Sequence, residues 1–77
     1  MISELQWINS FVEELKYYMK ERNMSQRELA RKSGLAESTI SDYVHGNKMP
    51  TIRGVNNIAI ALNIGVEQLI DFGQMIE

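Results

Sequence analysis

Apolar residues in this 77-residue chain recur at intervals of three and four, the spacing that gathers them on one face of an α-helix. Strand-type alternation of apolar and polar residues is absent over any useful length. The helical pattern is interrupted by residues that end helices, namely Asn23, Gly34, Gly46, Pro50 and Asn63. The chain can therefore form only short helices, and the pattern predicts a compact all-α domain of five helices.

Polar residues that cap helices locate the predicted starts. Ser25, with Glu28 three residues later, forms a capping box at the start of the second helix, and Thr51 caps the fourth. The start of the first helix stays open, because Ser3 and Ser10 both head such a box. The helical periodicity then predicts a core of fully buried residues, which are Leu15, Leu29, Ala30, Ile40, Val55, Ile58, Ala59 and Leu62.

The composition excludes several classes of protein. The chain has no cysteine and one histidine, which rules out a disulfide framework and a multi-histidine metal site. The longest uninterrupted apolar run, residues 58–62, is far shorter than the ~20 residues of a membrane span. The first five residues lack the basic start of a secretory signal. We therefore expect one soluble, cytoplasmic domain over residues 1–77, without a cofactor.

The formal charge of −2 looks unsuited to nucleic acid, but the charge is unevenly distributed along the chain. Residues 1–21 carry a net charge of −2, residues 22–53 carry +3 and residues 54–77 carry −3. The local field matters more than the total charge when a protein meets a phosphate backbone. The middle segment could thus face nucleic acid, although a block of +3 is also compatible with an ordinary solvated surface.

Within the middle segment, residues 25–45 have the sequence pattern of two short helices joined by a tight turn. Ala30 is small where the two helices cross, and Gly34 supplies a turn that most side chains would strain. These features predict a helix-turn-helix, whose second helix covers residues 36–45. The outer face of that helix carries Glu37, Ser38, Ser41 and Asp42, polar side chains that can reach base edges in the major groove.

The chain resembles a known family through the order and spacing of short motifs. These motifs are Met24-Ser25-Gln26, Glu28-Leu29-Ala30, Gly34-Leu35, Ser38-Thr39-Ile40-Ser41, Gly46-Asn47-Lys48, Pro50-Thr51-Ile52 and Ile58-Ala59-x-Ala61-Leu62. They are similar to those of the Xre/Cro-type, phage-repressor-like helix-turn-helix DNA-binding family, and the likeness runs from about Phe11 to Ile70. The resemblance implies a five-helix domain that binds operator DNA as a dimer.

The resemblance also implies roles for individual residues. Those expected to face bases, or to brace a base contact, are Gln26, Ala36, Glu37, Ser38, Thr39, Ser41 and Asp42. Those expected to contact phosphate are Ser25, Asn47, Lys48, Thr51 and Arg53. Thr51 and Arg53 also stand at a helix N-terminus, which favours an anion.

Two positions depart from the pattern of that family. Asp42 stands where a basic residue is common; with Glu37, it can accept from cytosine N4 but repels phosphate. Met19 and Val44 stand where many members pair an arginine with a glutamate. Because both partners are apolar together, we infer that a hydrophobic contact replaces an ion pair, an exchange that is often neutral or stabilising.

A homodimer is expected, since one recognition helix covers too few base pairs to select one genomic site. The predicted C-terminal helix and tail, residues 65–77, hold most of the candidate interface, which consists of Ile60, Val66, Ile70, Phe72, Met75 and Ile76. Trp7 and Phe11 form the alternative surface, unless these aromatic residues only widen the core face of the first helix.

The predicted function is sequence-specific regulation of transcription, as a repressor. Two alternatives stay open: an antitoxin-like regulator with a protein partner, and a protein-interaction module that has lost DNA binding. No enzymatic activity is expected. Ser41, Asp42 and His45 do not make a catalytic triad, because they lie on one exposed helix without an oxyanion hole.

Overall fold

Four α-helices followed by a short 3-10 helix make up residues 4–70, the part of the chain that the computed structural model describes. The α-helices are α1 (Glu4–Glu21), α2 (Gln26–Ser33), α3 (Glu37–Val44) and α4 (Ile52–Leu62), and the 3-10 helix is Val66–Gln68. These residues contain no strand, and the predicted all-α class is confirmed. The fifth predicted helix is therefore a single 3-10 turn as far as residue 70, and the rest of the predicted tail lies outside the described residues.

The capping residues begin and end the helices where local chemistry predicts. The Ser25 hydroxyl accepts a hydrogen bond from the Glu28 backbone N–H at 3.1 Å. Thr51 likewise accepts from the backbone N–H of Gly54 at 2.9 Å. Asn63 ends α4 in the left-handed conformation, with a φ of 58°. The open question at the start of the chain is also answered, because α1 runs without a break through residues 4–21.

All eight residues predicted to be fully buried lie in the core, and each is at most 7% exposed. Met19 and Val44, the apolar pair inferred above, are buried in the same cluster. Phe11 is also core, with 1% of its surface exposed. It stacks on the half-buried Trp7 at a ring-centroid distance of 6.3 Å. Phe11 and Trp7 therefore widen the core face of α1, and Phe11 is not part of a free surface.

Ile52 lies three residues before the buried Val55 and so has the spacing of an apolar-face residue of α4, but it does not lie in the core. Its side chain is 77% exposed. The first turn of α4 meets the body at Gly54, where an added Cβ would lie 3.0 Å from the hydroxyl oxygen of Tyr43. Residues two apart on a helix point in nearly opposite directions. Ile52 therefore points away from this contact and into solvent.

Long-range hydrogen bonds connect α1 and the turn that follows it to the C-terminal part of the described chain. Arg22 Nε donates to the carbonyl oxygen of Leu62 at 2.9 Å, which supplies a partner for one of the last carbonyls of α4. Gln68 Nε2 donates to the hydroxyl of Tyr18 at 3.2 Å. None of the helices between residues 4 and 70 is long and apolar enough to cross a membrane.

Gly34 gives a prediction about the turn between α2 and α3. Its φ is 75°, and an added Cβ would find no heavy atom within 4 Å, so only backbone strain opposes a side chain. We expect Gly34→Ala to lower the free energy of unfolding by about 1–2 kcal/mol, measured by urea denaturation. Gly34→Asn should lose less, because asparagine adopts the left-handed conformation more readily. Equal stability of Gly34→Ala and the unaltered chain would contradict this explanation.

Candidate nucleic-acid interface

A small hydrogen-bonded turn sets the direction in which α3 leaves α2. The buried Ser33 donates its hydroxyl to the carbonyl of Ala30 at 3.3 Å and accepts from the Leu35 N–H, also at 3.3 Å. Gly34 donates its N–H to the same Ala30 carbonyl at 3.0 Å. Ser33 is not among the residues predicted from the sequence to form the site. The available signal was a serine next to a turn glycine, since serine often bonds to nearby backbone groups.

One face of α3 is anchored in the core. Ile40, Tyr43 and Val44 are buried. The Tyr43 ring meets Phe11 of α1 edge-on, with a centroid distance of 6.0 Å and an interplanar angle of 84°. Its hydroxyl reaches Gly54 in the first turn of α4. Tyr43 thus brings α3 and the start of α4, the two elements with most of the predicted DNA contacts, to one side of the molecule.

The opposite face of α3 is polar and accessible. Glu37 and Ser38 are exposed, and Ser41 and Asp42 are half-buried. Ala36 precedes the helix as an exposed N-cap residue, and Thr39 is half-buried. Gln26, the first residue of α2, is also half-buried. The residues predicted to face bases thus keep surface that a ligand could reach, while the opposite face holds the helix rigidly.

His45 ends α3 by interacting with the preceding turn. Its Nδ1 lies 2.8 Å from the carbonyl oxygen of Ser41 and 3.4 Å from the Ser41 hydroxyl. A carbonyl oxygen only accepts hydrogen bonds, so this nitrogen donates and has no lone pair with which to activate the hydroxyl. The geometry is that of a helix C-terminus, where a histidine pairs with the last carbonyls.

The two capping hydroxyls combine two properties that favour phosphate. Ser25 and Thr51 accept hydrogen bonds from their own helices, so each keeps its own proton to donate to an external acceptor. Both side chains are exposed at helix N-termini, where the aligned peptide dipoles favour negative charge. In the loop before α4, the Asn47 N–H donates to the Asp42 carbonyl at 2.8 Å, and Lys48 is exposed.

The contacts of the six basic side chains in residues 22–53 divide them into two groups. Arg31 and Lys32 share the carboxylate of Glu28, at 4.0 and 3.5 Å, and Arg22 donates to Leu62 as described above. In the second group, the exposed Arg27, Lys48 and Arg53 have no ion-pair partner within residues 4–70. Arg27 was not among the predicted contacts. The signal that could have found it is its place beside Gln26 in the first turn of α2.

The candidate dimer residues occupy different environments. Ile60 is 69% exposed on α4, and Val66 is half-buried. Ile70 is only 4% exposed, which corrects its assignment to a surface: its side chain packs in the core and offers little area to a second copy. The remaining three candidates, Phe72, Met75 and Ile76, lie outside the described residues.

Comparison with known proteins agrees with this arrangement. A family model described as helix-turn-helix matches residues 15–69, a span that includes α2, α3 and α4. A comparison with curated proteins finds no match. Among solved structures, the chain is similar to the restriction-modification controller protein C.AhdI from Aeromonas hydrophila, with a TM-score of 0.78 and 25% sequence identity. The alignment covers 82% of this chain and 96% of that chain.

The matched segment and the geometry of the described residues lead to the same assignment. The family model covers more than half of the sequence, and the turn at Gly34 joins the two helices that define the motif. The fold agrees with that of a controller protein along most of the described chain. The chain therefore belongs to the Xre/Cro-like helix-turn-helix family of DNA-binding transcriptional regulators.

Proposed function

We propose that this protein is a transcriptional repressor that binds double-stranded DNA sequence-specifically and reads the major groove with α3. The observation that carries the proposal is the position of the polar face of α3 beside the capped N-terminus of α4. Tyr43 holds these elements together through Gly54. A helix in the groove and a helix N-terminus at the neighbouring phosphates is an arrangement that positions a protein on a duplex.

The contacts divide between positioning the protein and reading the sequence. Ser25 and Thr51 donate hydroxyl protons to phosphate, and Asn47, Lys48 and Arg53 bind the same backbone. The residues that address the bases or brace a base contact are Gln26, Ala36, Glu37, Ser38, Thr39, Ser41 and Asp42. Glu37 and Asp42 accept hydrogen bonds from cytosine N4 and repel phosphate. The repulsion weakens non-specific binding, so that affinity depends more on the correct bases.

The repressor acts as a homodimer in this proposal. Two copies related by a two-fold axis would place their α3 helices ~34 Å apart, one turn of the duplex. Ile60 is exposed on α4 and, with Val66 and the apolar residues of the C-terminal tail, supplies the surface between the copies. The likeness to a restriction-modification controller protein supports a regulatory role. The DNA upstream of the chain's own gene is therefore the first place to search for an operator.

A gel-shift experiment on that upstream DNA tests the proposed function. We expect retention at low salt and micromolar protein, and an altered preference among sequences for Ser38→Ala, because each lost base contact changes discrimination by about 1–3 kcal/mol. Ser10→Ala, an exposed serine on α1, is the matched control and should bind like the unaltered chain. Failure to retain any duplex would instead support the protein-interaction module. Binding that requires the product of the neighbouring gene would support the antitoxin-like alternative.

A further inference from the structure

An exposed isoleucine stands among the proposed phosphate contacts. Ile52 is the first residue of α4, and its side chain is 77% exposed, more than Ile60 at 69% or Tyr17 at 54%. Its neighbours in sequence are Thr51, whose hydroxyl caps the helix, and the exposed Arg53. Local helix formation does not explain an isoleucine here, because a β-branched side chain loses rotamer freedom in a helix.

The charges around Ile52 indicate what could cover it. Lys48 and Arg53 flank it in sequence, and neither has an ion-pair partner within the described chain. The first turn of α4 contains no acidic residue, whereas those of α2 and α3 contain Glu28 and Glu37. This exposed segment therefore carries a cation on each side of Ile52 in the sequence, with no acidic side chain in the first turn of α4. Met49, 39% exposed, adds a second apolar group to the same loop.

The backbone of a DNA duplex has the complementary pattern, since its charged phosphates alternate with deoxyribose rings whose carbon atoms are apolar. We infer that Ile52 packs against deoxyribose between the phosphates that Lys48 and Arg53 contact. This inference rests on the proposed function. Ile52 adds affinity by removing apolar surface from water, so its contribution is independent of base sequence and of counterion release.

Salt dependence separates this role from that of the neighbouring cations. We expect Ile52→Ser to weaken binding to every duplex by roughly four- to fifteenfold, the effect of losing one or two buried methylene groups. The slope of log K against log salt should stay unchanged, because the variant keeps every cation that neutralises a phosphate. Ile52→Val removes only one methylene group and should lose less than Ile52→Ser, at most about fourfold. Tyr17→Ser, an exposed apolar residue on α1 without a proposed DNA contact, is the matched control and should bind normally.

The measurements are titrations of fluorescent duplexes at several salt concentrations, with thermal melts to show that each variant is folded. A parallel loss for specific and unrelated duplexes at constant slope would support the inference. A slope that changes with Ile52→Ser, a loss confined to one sequence, or unaltered affinity would overturn it while leaving the proposed function intact. If the unaltered chain itself bound no duplex, the proposed function would fail first and the inference with it.

Discussion

Replacing Ile40 with alanine is expected to lower the free energy of unfolding by about 2–5 kcal/mol. The Ile40 side chain is fully buried, on the face of α3 that packs against the rest of the protein. Truncation removes its burial and leaves a cavity that the surrounding helices fill only in part. Domains are typically stable by only 5–15 kcal/mol, so this loss is a large part of the total. Urea denaturation measures it.

Ile40→Val is the control, because it removes a single methyl group and should cost about 0.5–1.5 kcal/mol. The exposed Ile60 offers a second comparison within the same chain, since Ile60→Ala removes side-chain atoms that are already largely in water. An unfolding energy for Ile40→Ala within 0.5 kcal/mol of the unaltered chain would show that α3 is not anchored as the structure indicates.

The second large effect concerns two cations without an ion-pair partner in the described chain, Lys48 in the loop before α4 and Arg53 in its first turn. Removing both side chains in a Lys48→Ala, Arg53→Ala variant should weaken DNA binding roughly 60-fold per bound chain at 0.1 M salt, since each phosphate contact contributes about eightfold there. The same change should reduce the salt slope by about two units. The loss should be alike for all sequences, because phosphate contacts carry no base information. Titrations across a range of salt concentrations measure both quantities.

A matched variant separates contact from total charge. Lys16→Ala with Lys20→Ala removes the same charge from exposed positions on α1. If the phosphate contacts lie where we propose, this control should change affinity much less. Equal losses in the two double variants would mean that overall charge, and not the position of Lys48 and Arg53, controls binding.

Together these variants distinguish the anchoring of α3, the proposed phosphate contacts of Lys48 and Arg53, and the proposed apolar contact of Ile52. Each gives a different observable. The core truncation changes stability, the cation variant changes the salt slope, and Ile52→Ser changes affinity at constant slope. The base contacts proposed for Glu37 and Asp42 predict a fourth effect, because a carboxylate repels phosphate wherever the correct donor is absent.

Local chemistry was enough to predict the four α-helices. The caps at Ser25 and Thr51 and the left-handed stops at Asn23, Gly34 and Asn63 each act within a few residues, so the sequence contains the whole interaction. The all-α class and the turn of the helix-turn-helix follow from those signals together with the apolar periodicity. The core residues were predictable for the same reason, because a regular helix converts spacing into a face.

Only the tertiary structure decided which residues remain available on the surface. Ile52 has the spacing of a core residue, but the approach of Tyr43 to Gly54 turns it outward. Arg22 belongs to the basic segment, yet its guanidinium bonds to Leu62, 40 residues away. Periodicity defines a face of each helix, whereas the area left uncovered depends on how separate helices meet. The chain alone therefore determined its helices and their apolar faces, and packing over long sequence separations determined which side chains remain for DNA.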